Sequence, residues 1–155
     1  MRWTRLSDTE VPLFAGLSKT ERRSLPRLMT RVRISAGTVL AQQDLPAREF
    51  MIIIEGTATA SRDNYHLATL GPGDFFGEVG LINTGYRTAT VIAQTDVMVE
   101  ALNRREFTAL LDTSPTVARK IVDTANGRLR AVENAVVGER VDRGSRMAIP
   151  TPVSG

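Results

Sequence analysis

Apolar and polar positions along the 155 residues run first at helical spacing, then at strand spacing, then at helical spacing again. Val11, Leu13, Phe14 and Leu17 are apolar anchors ahead of Ser18 and Glu21, which stand at capping-box spacing, so a helix is predicted to begin at Ser18. Pro26 stands where that helix continues and is expected to end or kink it. From Thr30 the period becomes strand-like. Val32 and Ile34 alternate with Arg, Gly37 marks a turn, and Val39-Leu40 opens another short strand. Phe50-Met51-Ile52-Ile53-Ile54 is a continuous apolar run rich in β-branched residues, flanked by Pro46 and Gly56, and reads as a buried strand. Thr57 to Ser61 and Tyr65 to Leu70 form a hairpin with Asp63-Asn64 at its turn. Thr90-Val91-Ile92 and Val97 to Leu102 are the remaining strands.

After the strands, Asn103 and Glu106 repeat the capping-box spacing and predict a helix to about Leu111. Ser114-Pro115, a cap followed by Pro at the first helical position, starts a long helix. Its apolar stripe is Val117, Ile121, Ala125, Leu129, Val132 and Val136. Gly127 weakens its middle by about 1 kcal/mol relative to Ala, and Gly138 is its expected stop. Short strands with regular turn signals predict a sandwich or jelly roll. The division expected is an extension over residues 1–10, one domain over 11–138, and a basic tail over 139–155 that is polar and disordered.

Candidate chemistry concentrates between Gly71 and Ala93. Gly71-Pro72-Gly73-Asp74 is a turn. Gly77 then precedes Glu78, and Val79 to Leu81 can form one helical turn whose free N–H groups suit a small anion. Arg87 is a planar cation able to grip a phosphate with two parallel hydrogen bonds. Glu78 would repel that anion unless it faces another part of the ligand, and an ionised carboxylate only accepts, so a sugar hydroxyl is its natural partner. Together these groups describe a nucleotide with a single phosphate close to its sugar. Taken singly they are an ordinary turn and a surface ion pair of Glu78 with Arg87.

The run resembles the phosphate-binding cassette of the cyclic nucleotide-binding domain family, of the catabolite-activator and protein kinase A regulatory-subunit type. That pattern is roughly F-G-E, two small or apolar residues, Leu, a short loop, then R-(T/S/A)-A. Phe76-Gly77-Glu78, Leu81 and Arg87-Thr88-Ala89 match it, while Gly80 stands where Ala is usual and Tyr86 where Pro commonly precedes the Arg. The resemblance extends over about residues 11–137. It implies a mainly β fold, an eight-stranded jelly roll (double-stranded β-helix) with an N-terminal helical segment and C-terminal helices. It also implies a cyclic nucleotide site at Gly77, Glu78, Val79, Gly80, Arg87, Thr88 and Ala89. Leu67 and Phe76 would line its apolar side, although both also fit as plain core residues. The last helix near Val132 to Val136 would cover the base. Asp44 takes the place of a common Gly, and Thr88 bears on the choice between cyclic AMP and cyclic GMP.

Composition narrows the picture further. There is no Cys, which excludes disulfides, cysteine metal sites and thiol catalysis and fits a cytoplasmic protein. His66 is the only His, so no multi-histidine metal site can form within the chain. There is no run of membrane-spanning length, and the first ten residues lack the apolar stretch of a signal peptide. The net charge of +3 comes from scattered Arg. Beyond Gly138 no apolar pattern supports a recognition helix, so specific nucleic-acid binding is not expected. Arg140, Arg143 and Arg146 read as a solvated tail. The reading is a non-catalytic cyclic nucleotide sensor needing no cofactor, cyclic AMP over cyclic GMP, that signals to an effector protein. The long helix could also pair two copies. The alternatives are a jelly-roll interaction scaffold that binds no nucleotide and the sensor fragment of a catabolite-activator-type regulator.

Overall fold

The computed structural model describes residue 7 and residues 10–146, with side chains placed through residue 134. A 3-10 turn at Pro12–Phe14 leads into α1, Lys19–Leu28. The capping box is formed on both sides: Glu21 N–H donates to Ser18 Oγ at 3.1 Å, and Ser18 N–H donates to the Glu21 carboxylate at 2.9 Å. The helix does not end at Pro26 but persists to Leu28. Pro26 forfeits the bond to Arg22 O and crowds that carbonyl, and the helix ends two residues later.

Eight strands follow: β1 Thr30–Ile34, β2 Val39–Ala41, β3 Glu49–Glu55, β4 Ala58–Arg62, β5 Tyr65–Leu70, β6 Phe75–Phe76, β7 Thr90–Ala93 and β8 Val97–Asn103. They form two four-stranded antiparallel sheets, ordered β1-β8-β3-β6 and β2-β7-β4-β5. This is the jelly roll with flanking helices that the resemblance implied. The pattern of positions did not reveal β6, since two residues are too few to carry a period. They pair with Met51 and Ile52. At the β4–β5 turn, Asp63 (φ 50°) and Asn64 (φ 68°) are both left-handed, as a two-residue type I′ hairpin requires.

The apolar run of β3 is explained by burial on both faces. Met51 and Ile53 point between the sheets with Leu70, Phe76, Val91 and Val99. Phe50, Ile52 and Ile54 point to the other side, where Phe14, Leu25, Phe107, Leu110 and Ile121 close a second core. Phe50 is the hub there, its ring 4.9 Å from that of Phe107 and 5.3 Å from that of Phe75.

Helix α2, Arg104–Thr113, carries the second capping box, and α3 runs Pro115–Arg146. Val117, Ile121 and Ala125 are fully buried, whereas Leu129 and Val132 are half-buried. The stripe therefore anchors the first half of α3 and meets more solvent in the second. The expected stop at Gly138 is not observed, and the segment 139–146, expected to be disordered, continues the helix. A helical glycine costs about 1 kcal/mol, too little to end a helix whose neighbours continue it. Residues 147–155 and the side chain of Val136 lie outside the described residues. Among the described residues no helix is long and apolar enough to cross a membrane.

Because Phe50 is fully buried and joins β3, β6 and α2, Phe50→Ala should lower stability by about 3–5 kcal/mol. Urea unfolding followed by circular dichroism measures this, with a shifted midpoint and an unchanged slope expected.

Candidate functional site

The turn Gly71–Asp74 delivers the chain into β6, and the segment behind it is built of unusual backbone. Gly77 has φ +101°, and a Cβ there would lie 2.5 Å from Glu49 O and 2.7 Å from Arg87 Nη1. Only glycine fits, for conformation and for space. The helical turn expected at Val79 to Leu81 is a wider π-helix over Gly80–Thr84, closed by Gly85 N–H donating to Gly80 O at 2.7 Å with Gly85 at φ +81°. Gly80 has no room for a methyl group, since a Cβ would stand 2.5 Å from Ala47 Cβ and 2.7 Å from Tyr86 O. The departure from Ala at this position is thus matched by Ala47 opposite it.

The loop returns to β7 beside the β2–β3 connection through a ladder of main-chain bonds. Ala47 N–H donates to Gly85 O (2.9 Å), Arg87 N–H to Leu45 O (2.8 Å) and Asp44 N–H to Arg87 O (2.8 Å). Tyr86 bridges Pro46 in this ladder. Asp44 holds φ +69°, a left-handed conformation that Asp tolerates.

These elements enclose a cleft of about 190 Å³ between the β2-β7-β4-β5 sheet, the cassette loop and α3. Leu67, Phe76, Gly77, Glu78, Val79, Gly80, Arg87, Thr88 and Ala89 all line it. Phe76 is 5% exposed and shared with the core, while Leu67 is 38% exposed and is not a core residue. A wider hollow of about 470 Å³ lies on the other side of Arg87 and Thr88, bounded by Asp44, Arg62, Thr84, Tyr86, Leu129 and Val132.

Arg87 is buried, and its Nη1 donates to Glu49 O at 2.8 Å. Its other donors make no hydrogen bond among the described residues, which leaves them for an anion in the cleft. Burial lowers its pKa from the ordinary value while Glu49 and Glu78 pull it back up, and the group remains a cation. Glu78 is 1% exposed, so the surface ion pair with Arg87 is not what forms. Its ion-pair partner is Arg128 on α3, bonded to Glu78 Oε1, while Val79 N–H donates to Oε2 at 3.0 Å. Arg128 Nη1 also donates to Phe75 O at 2.7 Å, with its guanidinium 5.2 Å from the centre of the Phe75 ring. Burial pushes the Glu78 carboxyl above the ordinary range, opposed by the Arg128 charge and then by the Val79 N–H.

Sequence reasoning missed Arg128, which lines the cleft together with Ala131 and Val132. No local motif surrounds it. The available signal was its position three residues after Ala125 and four before Val132, a charge set into an otherwise apolar stripe. Chemically, the cleft offers a backbone cradle and a buried cation for one anionic group, a buried carboxylate for a hydroxyl, and an apolar wall.

A family model described as the cyclic nucleotide-binding domain matches residues 31–114, more than half of the chain. A cAMP-dependent protein kinase regulatory subunit of Hypocrea atroviridis is 32% identical over 102 residues, covering 66% of this chain and 22% of that protein. Across the first curated relatives it matches, the chain spans between 22% and 35% of their length. A structure described as Sp-2Cl-cAMPS bound to PKAR CBD2 matches with a TM-score of 0.72 at 26% identity, covering 83% of this chain and 85% of that one. The Thermus thermophilus catabolite activator protein matches with a TM-score of 0.69 at 28% identity, covering 81% and 61% respectively.

The ion pair sets a pH dependence. A carboxyl with a raised pKa binds its proton more tightly in the fold than in the unfolded chain. Stability from Glu78 is therefore greatest when it is protonated, falls as pH rises past its unfolded pKa, and levels off above its folded pKa. Arg128→Ala removes the opposing charge and raises that folded pKa further. The variant should lose about 2 kcal/mol near pH 8, below the range of fully buried pairs because one side of Arg128 meets water, and markedly less near pH 5. Denaturant unfolding of both proteins at the two pH values reads the difference, and an equal loss at both would contradict it.

Proposed function

Since the chain belongs to the cyclic nucleotide-binding domain family, we propose that it is a non-catalytic sensor of a cyclic nucleotide. The carrying observation is the convergence of Arg87 and Glu78 in one cleft beside the Gly77–Gly80 backbone. The cyclic phosphate lies against that backbone and the free donors of Arg87. The ribose hydroxyl donates to Glu78, and the base lies along Leu67, Ala131 and Val132. In this arrangement Glu78 faces the ribose hydroxyl rather than the phosphate, so it is not aimed as a general base at the phosphorus. Cyclic AMP is the preferred ligand in this reading, favoured by the cAMP analogue named in the description of the similar regulatory-subunit structure.

Coupling follows from Glu78. A ligand hydroxyl bonding this carboxylate changes the environment of Arg128, and hence the docking of α3, whose Leu129 and Val132 are only half-buried. The second half of α3 is the output surface, read by an effector protein or by a second copy of the chain. A second reading, favoured by the likeness to the catabolite activator structure and by the share of the relatives that is matched, is that the chain is the sensor portion of a longer regulator.

Calorimetric titration tests the ligand. Cyclic AMP should bind at least as tightly as cyclic GMP, and Arg87→Ala should cost on the order of 1.5–3 kcal/mol, roughly ten- to hundredfold in affinity. Arg87→Lys should recover only part, because an ammonium cannot reproduce the fork. Unchanged binding by the Ala variant would remove Arg87 from the site, and cyclic GMP at least tenfold tighter would reverse the ligand preference.

Hydrogen exchange tests the coupling. Cyclic AMP should protect amides both at 77–81 and at 129–136. Protection confined to the cassette would mean that α3 does not transmit occupancy.

A further inference from the structure

Arg62, at the end of β4, lies outside the cassette motif and outside the cleft, yet it reaches the cassette. Its Nη1 donates to Thr88 O at 2.9 Å, across 26 residues of sequence, and stands 3.5 Å from Asp44 Oδ1. Its side chain is only 23% exposed, so this is no loose surface arginine. Its Nε lies buried with no hydrogen-bond acceptor, 4.0 Å from Asp63 Oδ2. The next carbonyl back, Arg87 O, is held by Asp44 N–H at 2.8 Å. Two successive carbonyls of the segment that carries Arg87 are thus tied down from outside it.

A trans peptide holds its C=O and N–H on opposite edges. Fixing Thr88 O toward Arg62, which borders the outer hollow, turns Ala89 N–H the other way, and Ala89 borders the inner cleft only. Fixing Arg87 O toward Asp44 does the same for Thr88 N–H. Among the described residues neither N–H finds an acceptor, and both adjoin the buried Arg87. Two fixed donors beside a cation make a directional cradle, in which one oxygen of an anion is held differently from the other.

Resting on the functional reading above, we propose that Arg62 is a positioning residue for the phosphate site. By holding the Thr88 carbonyl it aims the Thr88–Ala89 backbone at one exocyclic oxygen of the cyclic phosphate, without touching the ligand. The assignment makes β4 part of the binding machinery and gives the site a preference between the two faces of the phosphate.

The test is calorimetric titration of the chain with cyclic AMP and with its two phosphorothioate diastereomers, each of which carries sulfur, a poor hydrogen-bond acceptor, in place of one exocyclic oxygen. Arg62→Met should lower the affinity for cyclic AMP about tenfold. It should also move the affinity ratio of the two diastereomers toward one. Arg62→Lys keeps one donor and should restore part of both. Arg62→Gln, closer in polarity, reads the same ratio should the Met variant fold poorly. Equal affinity of wild type and variants for all three ligands overturns the proposal. So does an equal loss for all three that leaves the ratio intact, since that marks a purely structural role. Wild-type chain that binds none of the three overturns the functional reading itself, and this proposal with it.

Discussion

A carboxylate that is 1% exposed stays charged only with a cation against it, and Glu78 draws that cation from α3. The Glu78–Arg128 contact therefore decides where the second half of α3 lies. Leu129 and Val132, half-buried, hold that part of the helix less firmly than the fully buried Val117, Ile121 and Ala125 hold the first part. Such a pair contributes little net stability, because desolvating the carboxylate offsets most of the attraction. Its consequence is geometric. It connects a buried group of the cleft to α3.

That connection is useful only if the cassette does not yield first. The loop between β6 and β7 has no strand partner, yet its backbone is held almost as a strand would be. The ladder to residues 44–47 fixes one side. Arg104, at the start of α2, reaches Leu81 O and Ala47 O at 3.4 Å each and spans the two loops. The close approaches at Gly77 and Gly80 leave no slack for side chains. Arg87 is thereby gripped through its N–H, its carbonyl and its guanidinium at once, and a cation so fixed has little orientational freedom left to lose on meeting an anion.

At its far end α3 is also tied to the start of the chain. The Lys120 ammonium donates to Pro12 O at 3.2 Å and to Ala15 O at 3.3 Å, at the two ends of the 3-10 turn. The helix is thus pinned by a cation on each side of Ala125. One cation holds the N-terminal segment and the other the ligand cleft.

Local sequence determined what local physics controls. The capping boxes at Ser18 and Asn103 set helix starts because their bonds close within three residues. The Asp63-Asn64 turn and the apolar run of β3 were legible because conformation and burial at those positions follow from residue type. The cassette was legible because its glycines, Glu78 and Arg87 sit within a dozen residues and in a fixed order. Gly138 misled, since a helix breaker acts only when the neighbouring turns have no further reason to continue. Tertiary structure alone decided that Glu78 is buried, that Arg128 lies against it 50 residues away, and that Arg62 holds a carbonyl 26 residues ahead. Those contacts join elements whose sequences carry no mark of one another. They depend on how two sheets and a helix pack, and packing fixes distances between residues that no spacing along the chain encodes.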